Sequence, residues 1–105
     1  MAKQLFGTDG IRGIPGEYPL DDSTLIRVGL ALGDFLRTRG ARARVLIGRD
    51  TRESGPHIAE RIARGLETAG AAPVSAGVLT TPGVAWLVHR EGFAAGVVIS
   101  ASHNP

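Results

Sequence analysis

The chain has no cysteine, and its 105 residues include only one methionine, one tryptophan and one tyrosine. Without cysteine it cannot form a disulfide framework, a thiolate metal site or a cysteine nucleophile. No apolar run approaches the ~20 residues needed to span a bilayer, and Met1–Phe6 lacks the apolar stretch of a signal peptide. These absences predict a cytoplasmic protein with no membrane partner.

The chain also has little excess of positive over negative charge. Twelve basic residues stand against ten acidic ones, which leaves a formal net charge of +2. The arginines are spread along the chain, and aromatic residues do not interleave with them as base-stacking residues would. We therefore expect no nucleic-acid partner. The hydrophobic share of 43% and the charged share of 21% are ordinary for a globular domain.

What the chain does contain is an alternation of short apolar runs and helical patterns. The apolar runs predict strands at 44–48, 73–78 and 95–99. The helical patterns predict one helix over 23–38, one from Ser54-Gly55-Pro56 to Gly70, and one beginning at Thr81-Pro82. In the last two, Ser54 and Thr81 are the predicted caps, each closely followed by proline. Alternating helices and strands predict a three-layer α/β fold, with a mainly parallel sheet and helices on both faces.

Finer predictions concern single residues. Asp22 or Ser23 is expected to cap the first helix, and Phe35 to lie on that helix's buried face. Trp86 is expected to be a packing residue, and His57 a surface or capping one. The strand at 95–99 is the most apolar of the three, so we expect it to be the most buried.

Ligands of parallel sheets bind beyond the carboxyl ends of the strands. Three loops fall at that edge of the predicted sheet: 49–54, 79–82 and 100–105. These loops are therefore the predicted functional rim.

The stretch Phe6-Gly7-Thr8-Asp9-Gly10-Ile11-Arg12-Gly13 suits an anion. Its closely spaced glycines let the backbone approach a ligand, and Thr8 and Arg12 offer a hydroxyl and a guanidinium that suit phosphate. It lacks the Gly-Lys-Ser/Thr ending of a P-loop. The alternative is an ordinary Asp-Gly turn with an exposed arginine.

A second stretch, Gly48-Arg49-Asp50-Thr51-Arg52-Glu53-Ser54-Gly55, lies between a predicted strand and a predicted helix. Its two arginines beside a helix N-terminus are suited to holding an anion. The alternative is a solvated loop in which the two acids offset the two arginines.

A third stretch, Ser100-Ala101-Ser102-His103-Asn104-Pro105, follows the last predicted strand. A serine at the carboxyl end of a strand faces the ligand crevice, where nucleophiles are common. The stretch is not the G-x-S-x-G elbow of hydrolases. The alternative is a capping serine beside a turn histidine.

Taken in order, these stretches resemble the opening domain of the α-D-phosphohexomutases. The resemblance rests on F-G-T-D-G-I-R-G, then G-R-D-T-R-x-S-G, then T-P after a strand, and finally S-A-S-H-N-P. It covers nearly the whole chain and implies that residues 1–105 are a partial first domain of this family, ending at the phosphoserine loop. Within the family, the sequences of the first and last stretches most resemble the branch that acts on glucosamine phosphates.

The resemblance implies a role for each matched residue. Ser102 would be the phosphoserine that gives its phosphate to a hexosamine phosphate and takes one back from a sugar bisphosphate. Arg12 would neutralise the transferring charge, with His103 as a further catalytic residue. The residues expected to bind substrate or phosphate are Thr8, Asp9, Gly10 and Asn104. Mg²⁺ would be held through the phosphate on Ser102, because hard cations prefer oxygen ligands.

The resemblance also identifies what these residues lack. The family's aspartate-rich metal loop, the lysine after S-H-N-P and the sugar-recognition loops are absent from residues 1–105. We therefore expect the isolated chain to be inactive and to self-associate through exposed apolar surface or a sheet edge. The alternatives are a phosphomannomutase or phosphoglucomutase of the same family, and a non-catalytic α/β module that binds anions or associates with itself.

Overall fold

The computed structural model describes residues 16–38, 43–51 and 54–100. In these ranges helices and strands alternate along the chain as α1 Asp22–Arg37, β1 Arg44–Arg49, α2 Gly55–Thr68, β2 Ala72–Val78, α3 Thr81–Glu91 and β3 Ala95–Ile99. The sequence periodicity predicts each of these elements to within one or two residues at each end that it specifies.

The described strands form one parallel sheet in the order β2-β1-β3. β1 pairs with β3 in continuous register, from Val45 opposite Ala95 to Arg49 opposite Ile99. Its pairing with β2 slips after Ile47, where β2 holds one extra residue. Of the described strands, the first along the chain is therefore the central one.

Helices cover both faces of this sheet. Val45 and Ile47 of β1 belong to the same buried cluster as Ile58, Ile62 and Leu66 of α2. On the opposite face, the buried Val84 of α3 lies where side chains at Gly48 and Gly96 would otherwise stand. These contacts confirm the predicted α/β fold with helices on both faces.

The remaining helix, α1, packs along α2 through a glycine crossing. A Cβ atom placed on Gly65 would lie 2.7 Å from the backbone nitrogen of Leu30, and one on Gly29 would lie 2.9 Å from that of Leu66. Such distances are shorter than van der Waals contact, so the two backbones touch at a point that admits no side chain. The starts of the two helices adjoin as well, because Asp22 bonds His57, so the helices run in roughly the same direction.

The structure corrects three of the finer predictions on the helices. The N-cap of α1 is Asp21, whose side chain accepts from the Thr24 N–H, while Asp22 is the first helical residue. Phe35 is 55% exposed and Trp86 is 57% exposed. These two helices, α1 and α3, bury narrower stripes than their patterns of apolar residues suggest. Trp86 instead lies against the Arg90 guanidinium, 4.9 Å from the ring centre.

The prediction that the last strand is the most buried is also wrong. Four consecutive residues of β1, from Val45 to Gly48, are buried, whereas no residue of β3 is fully buried. The reason is position: β1 has a strand on each side and a helix on each face, and among residues 16–38, 43–51 and 54–100 β3 has a neighbouring strand on one side only.

Across 16–38, 43–51 and 54–100, none of the helices is long and apolar enough to cross a membrane.

Candidate functional site

The site follows from the order of the strands. From β1 the chain crosses to β2 on one side, and from β2 it crosses back over β1 to β3 on the other side. In a parallel sheet such a reversal opens a crevice between the carboxyl ends of the two strands at which the direction changes. Here that switch point lies between β1 and β3, which brings the loop after Arg49 beside the loop after Ile99.

Backbone hydrogen bonds hold this edge together beyond the ends of the strands. The Asp50 N–H donates to the Ile99 carbonyl at 3.0 Å, and the Leu79 N–H donates to the Arg49 carbonyl at 3.0 Å. The three loops predicted as the rim therefore start side by side. Ser100, the first residue after β3, is exposed at this edge.

α2 begins at this edge directly after the β1 loop. Its N-cap position is Ser54, as the sequence predicts, but the Ser54 side chain makes no capping hydrogen bond. The aliphatic part of Arg49 lies along the start of the helix, with its Cδ 3.4 Å from the point where a Gly55 Cβ would stand. No acidic residue of α2 itself occupies its first turn, and the carboxylate that adjoins this turn is Asp22 of α1, which bonds His57.

α3 begins at the same edge, after the β2 loop. Its N-cap is Thr80 rather than the predicted Thr81, and the Thr80 hydroxyl accepts from the Gly83 N–H at 3.1 Å. Both threonines precede Pro82, and proline near the start of a helix does not by itself identify the capping residue. The first turn of α3 also contains no acid.

Two acidic residues at this end of the molecule, Asp21 and Asp22, belong to the start of α1. Asp21 caps that helix, and hydrogen bonding from Thr24 holds the pKa of Asp21 below its usual value. Asp22 bonds His57 at 2.7 Å and approaches Arg61, and chiefly the hydrogen bond from His57 lowers the pKa of Asp22. Asp21 thus caps α1, Asp22 lies between the starts of α1 and α2, and the start of α3, with no acid in its first turn, is suited to an external anion.

The residues that the sequence marks for catalysis and binding lie outside the described residues. This holds for Ser102, His103, Arg12, Thr8, Asp9, Gly10 and Asn104, and also for Arg52 of the β1 loop. The structure shows where the 100–105 loop begins, and it shows which groups of the β1 and β2 loops lie beside that point.

Within the described ranges, no group of three or more histidine, aspartate or glutamate side chains is placed to hold a metal ion. The described residues at this edge contribute backbone N–H groups, hydroxyls and Arg49, and also the Asp50 carboxylate. The N–H groups and the arginine guanidinium are donors that suit an anion.

The chain matches known proteins over almost its full length. A family described as phosphoglucomutase/phosphomannomutase, alpha/beta/alpha domain I, matches residues 3–105. A protein of Koribacter versatilis named phosphoglucosamine mutase is 60% identical over 103 residues, which cover 98% of this chain and 22% of that protein. A protein of the same name from Solibacter usitatus is 58% identical over 105 residues, covering 100% of the chain and 24% of the relative.

A third protein with that name, from Deinococcus radiodurans, is 48% identical over 103 residues and has 23% of its length covered. The chain therefore spans less than a quarter of the length of these curated relatives.

Proposed function

The chain belongs to the phosphoglucomutase/phosphomannomutase family, whose first domain it matches over residues 3–105, and we propose that it carries the phosphoserine of a phosphoglucosamine mutase. The whole protein would interconvert glucosamine 6-phosphate and glucosamine 1-phosphate in the cytoplasm. The choice of sugar rests on the relatives that carry this name at 60% and 58% identity.

The observation that carries the proposal is the meeting of β1 and β3 at the switch point. The bond from Asp50 N–H to the Ile99 carbonyl fixes the start of the 100–105 loop beside the β1 loop. Ser102 follows three residues after Ile99. In α/β proteins, ligands bind in such a crevice, and catalytic residues are found there.

The proposed reaction moves one phosphoryl group in each direction. The phosphorus–oxygen bond at Ser102 breaks, and the phosphoryl group passes to a free hydroxyl of the sugar monophosphate, whose proton is released. The resulting bisphosphate reorients and returns its other phosphoryl group to the Ser102 oxygen, and the sugar hydroxyl regains a proton. Atoms balance over the cycle, and no oxidant or reductant is needed.

Phosphoryl transfer depends mainly on positioning and on neutralisation of charge. A phosphoserine carries about −1.5 to −2 charges near neutral pH. The first turns of α2 and α3 contain no acidic residue of their own, and the Arg49 side chain lies along the start of α2. Both features favour the negative charge of a phosphoserine at this edge. Arg12 would add a guanidinium, His103 would act in catalysis, and Thr8, Asp9, Gly10 and Asn104 would bind phosphate or substrate.

Mg²⁺ is proposed only through the phosphate on Ser102. The described residues do not form a site for this ion, so we assign it no step. Hexosamine phosphate and sugar bisphosphate remain the proposed partners of the whole protein. Since the chain spans 22–24% of its relatives, we expect it to lack mutase activity when it is isolated.

The test uses the full-length protein that contains this chain, purified from cells. We expect intact-mass and peptide analysis to find one phosphate per chain, on the peptide that contains Ser102. Ser102→Ala should remove that phosphate and lower the mutase rate by more than about a thousandfold. Ser75→Ala, a matched change at an exposed serine on β2, should keep both.

The sugar is tested by assaying the phosphates of glucosamine, glucose and mannose side by side. Faster turnover of the glucose or mannose phosphates would identify the enzyme as a phosphoglucomutase or phosphomannomutase and overturn the glucosamine assignment. A full-length protein with neither phosphate on Ser102 nor turnover of any of the three would favour the non-catalytic anion-binding module.

A further inference from the structure

Asp22 lies between the starts of two helices. It is the first residue of α1, and its carboxylate bonds His57, in the first turn of α2, at 2.7 Å. The same carboxylate lies 3.6 Å from the Nε atom of Arg61, one turn further along α2. A negative charge near the start of a helix stabilises it, because the helix dipole is positive there. Asp22 therefore serves the start of α2 as well as that of its own helix.

The local support of the start of α2 is weak. Its N-cap residue, Ser54, makes no capping hydrogen bond through its side chain, and no acidic residue of α2 itself occupies the first turn. The backbone bond that opens the helix runs from the Ile58 N–H to the Ser54 carbonyl at 3.0 Å. Helix ends fray where their backbone N–H groups lack partners. The contact with Asp22 therefore supplies from α1 the support that a cap would give within α2.

Arg61 strengthens this link between the two helices. The Nε atom of Arg61 is buried and has no hydrogen-bond partner among the described residues. Two carboxylates compensate its charge: Glu60, 3.3 Å from Nη1, and Asp22, 3.6 Å from Nε. Removing one carboxylate leaves part of a half-buried positive charge uncompensated. A change at Asp22 thus acts on two side chains of α2, one turn apart.

The first turn of α2 lies directly against the end of β1. A Cβ atom on Gly55 would stand 3.4 Å from the Cδ atom of Arg49 and 3.8 Å from the Asp50 carbonyl oxygen. Asp50 in turn donates its N–H to the Ile99 carbonyl at 3.0 Å. Ile99 is the last residue of β3, and the loop with the proposed phosphoserine follows it. An unbroken series of contacts therefore runs from Asp22 to the start of that loop.

We propose that Asp22 is a positioning residue for phosphoryl transfer. Through His57 and Arg61 it fixes the first turn of α2, and that turn fixes the end of β1 beside the 100–105 loop. This inference rests on the proposed function, because it gives Asp22 a part in the same reaction. Small displacements of reacting groups lower the rate steeply, even when the substitution lies far from the chemistry. Since Asp22 acts through α2 and not on the substrate itself, its removal should lower kcat and leave KM nearly unchanged.

Kinetics on the full-length protein that contains this chain test the proposal. We expect Asp22→Ala and His57→Ala each to lower kcat about tenfold, with KM changed by less than about twofold. The double variant should lose no more than either single variant, because the two residues act as one unit. His57→Gln keeps an N–H donor that can reach the Asp22 carboxylate, so it should recover most of the rate that His57→Ala loses.

Asp34→Ala is the matched control. Asp34 is an exposed carboxylate on the same helix, and it pairs with Arg37 of that helix. Its removal breaks an ion pair without loosening α2, so kcat should stay within about twofold of the value for the unaltered protein. Rates are compared per mole of folded protein, so that a general loss of stability does not count as a loss of kcat.

Hydrogen exchange followed by mass spectrometry tests the positioning without an activity assay. In full-length Asp22→Ala, the peptides that contain the Asp50 and Ile58 N–H groups should exchange at least about threefold faster, since both bonds lie along this series of contacts. A peptide from α3, on the opposite face of the sheet, should exchange as in the unaltered protein. Asp34→Ala should leave all three peptides unchanged.

Three results would overturn the proposal. One is unchanged exchange of the Asp50 and Ile58 peptides in Asp22→Ala. Another is an equal kcat for Asp22→Ala and Asp34→Ala. The third is a double variant in which the losses from Asp22→Ala and His57→Ala add. An unaltered protein that turns over none of the sugar phosphates would refute the proposed function instead, and the exchange comparison would then decide alone whether Asp22 fixes the end of β1.

Discussion

Replacing Gly65 with alanine tests the glycine crossing on which the packing of α1 depends. The added Cβ would lie 2.7 Å from the Leu30 nitrogen and closer still to the Ile26 carbonyl oxygen. Both are backbone atoms of α1, so no side chain can turn away to make room. The two helices would have to separate.

The size of the effect follows from two opposing contributions. Overpacking of a tight interior costs about 1–3 kcal/mol, and a rigid backbone on both sides places this site at the upper end. Alanine in place of glycine within a helix stabilises the helix by at most about 1 kcal/mol. We therefore expect Gly65→Ala to lower the free energy of unfolding by about 2 kcal/mol, which corresponds to a fall in Tm of roughly 8–16 °C.

Thermal and urea unfolding, followed by circular dichroism on the 105-residue chain, measure this change. Gly55→Ala is the matched control, because its Cβ would meet the Arg49 side chain at 3.4 Å and the Asp50 carbonyl oxygen at 3.8 Å, both ordinary contacts. It should shift stability by less than about 0.5 kcal/mol. A more stable Gly65→Ala variant would refute the reasoning, since it would show that helix propensity outweighs the crossing.

The remaining predictions concern helix ends and pH. Thr80→Ala removes the cap of α3 and should cost about 1 kcal/mol by urea unfolding, whereas Ser54→Ala removes no capping bond and should be nearly neutral; equal losses would contradict this assignment. The His57 hydrogen bond lowers the pKa of Asp22 in the folded chain, so its stabilisation is present above the usual carboxyl pKa and is lost as the pH falls through the lowered value. Asp22→Asn should therefore flatten the decline in stability between about pH 5 and pH 3, and an unchanged decline would exclude this carboxylate as a cause.

The sequence predicts the elements well because each one has a strong local signal. The β-branched run at 44–48 and the helical stripe of Ile58, Ile62 and Leu66 describe β1 and α2 to within a residue or two. Proline at the start of α2 and glycine at position 70, with its positive φ of 92°, indicate the limits of that helix. These signals arise from neighbouring residues and need no knowledge of the tertiary fold.

The errors come from properties that only the assembled fold determines. The apolar character of residues 95–99 does not reveal that they form an outer strand of the described sheet, so their burial is overestimated. Periodicity places Phe35 and Trp86 near apolar stripes but does not say how wide a stripe the neighbouring elements cover. Similarly, the sequence predicts that three loops share one edge of the sheet, but not that β1 and β3 meet at the switch point.

The same strand order has a consequence for how the chain folds. β1 pairs with β2 from Arg44 opposite Ala72, a separation of 72 − 44 = 28 residues. β1 pairs with β3 from Val45 opposite Ala95, a separation of 95 − 45 = 50 residues. Closing a longer loop costs more chain entropy and slows pairing. β3, which leads into Ser102, is thus the strand expected to dock last, onto a β1–α2–β2 unit that has already formed.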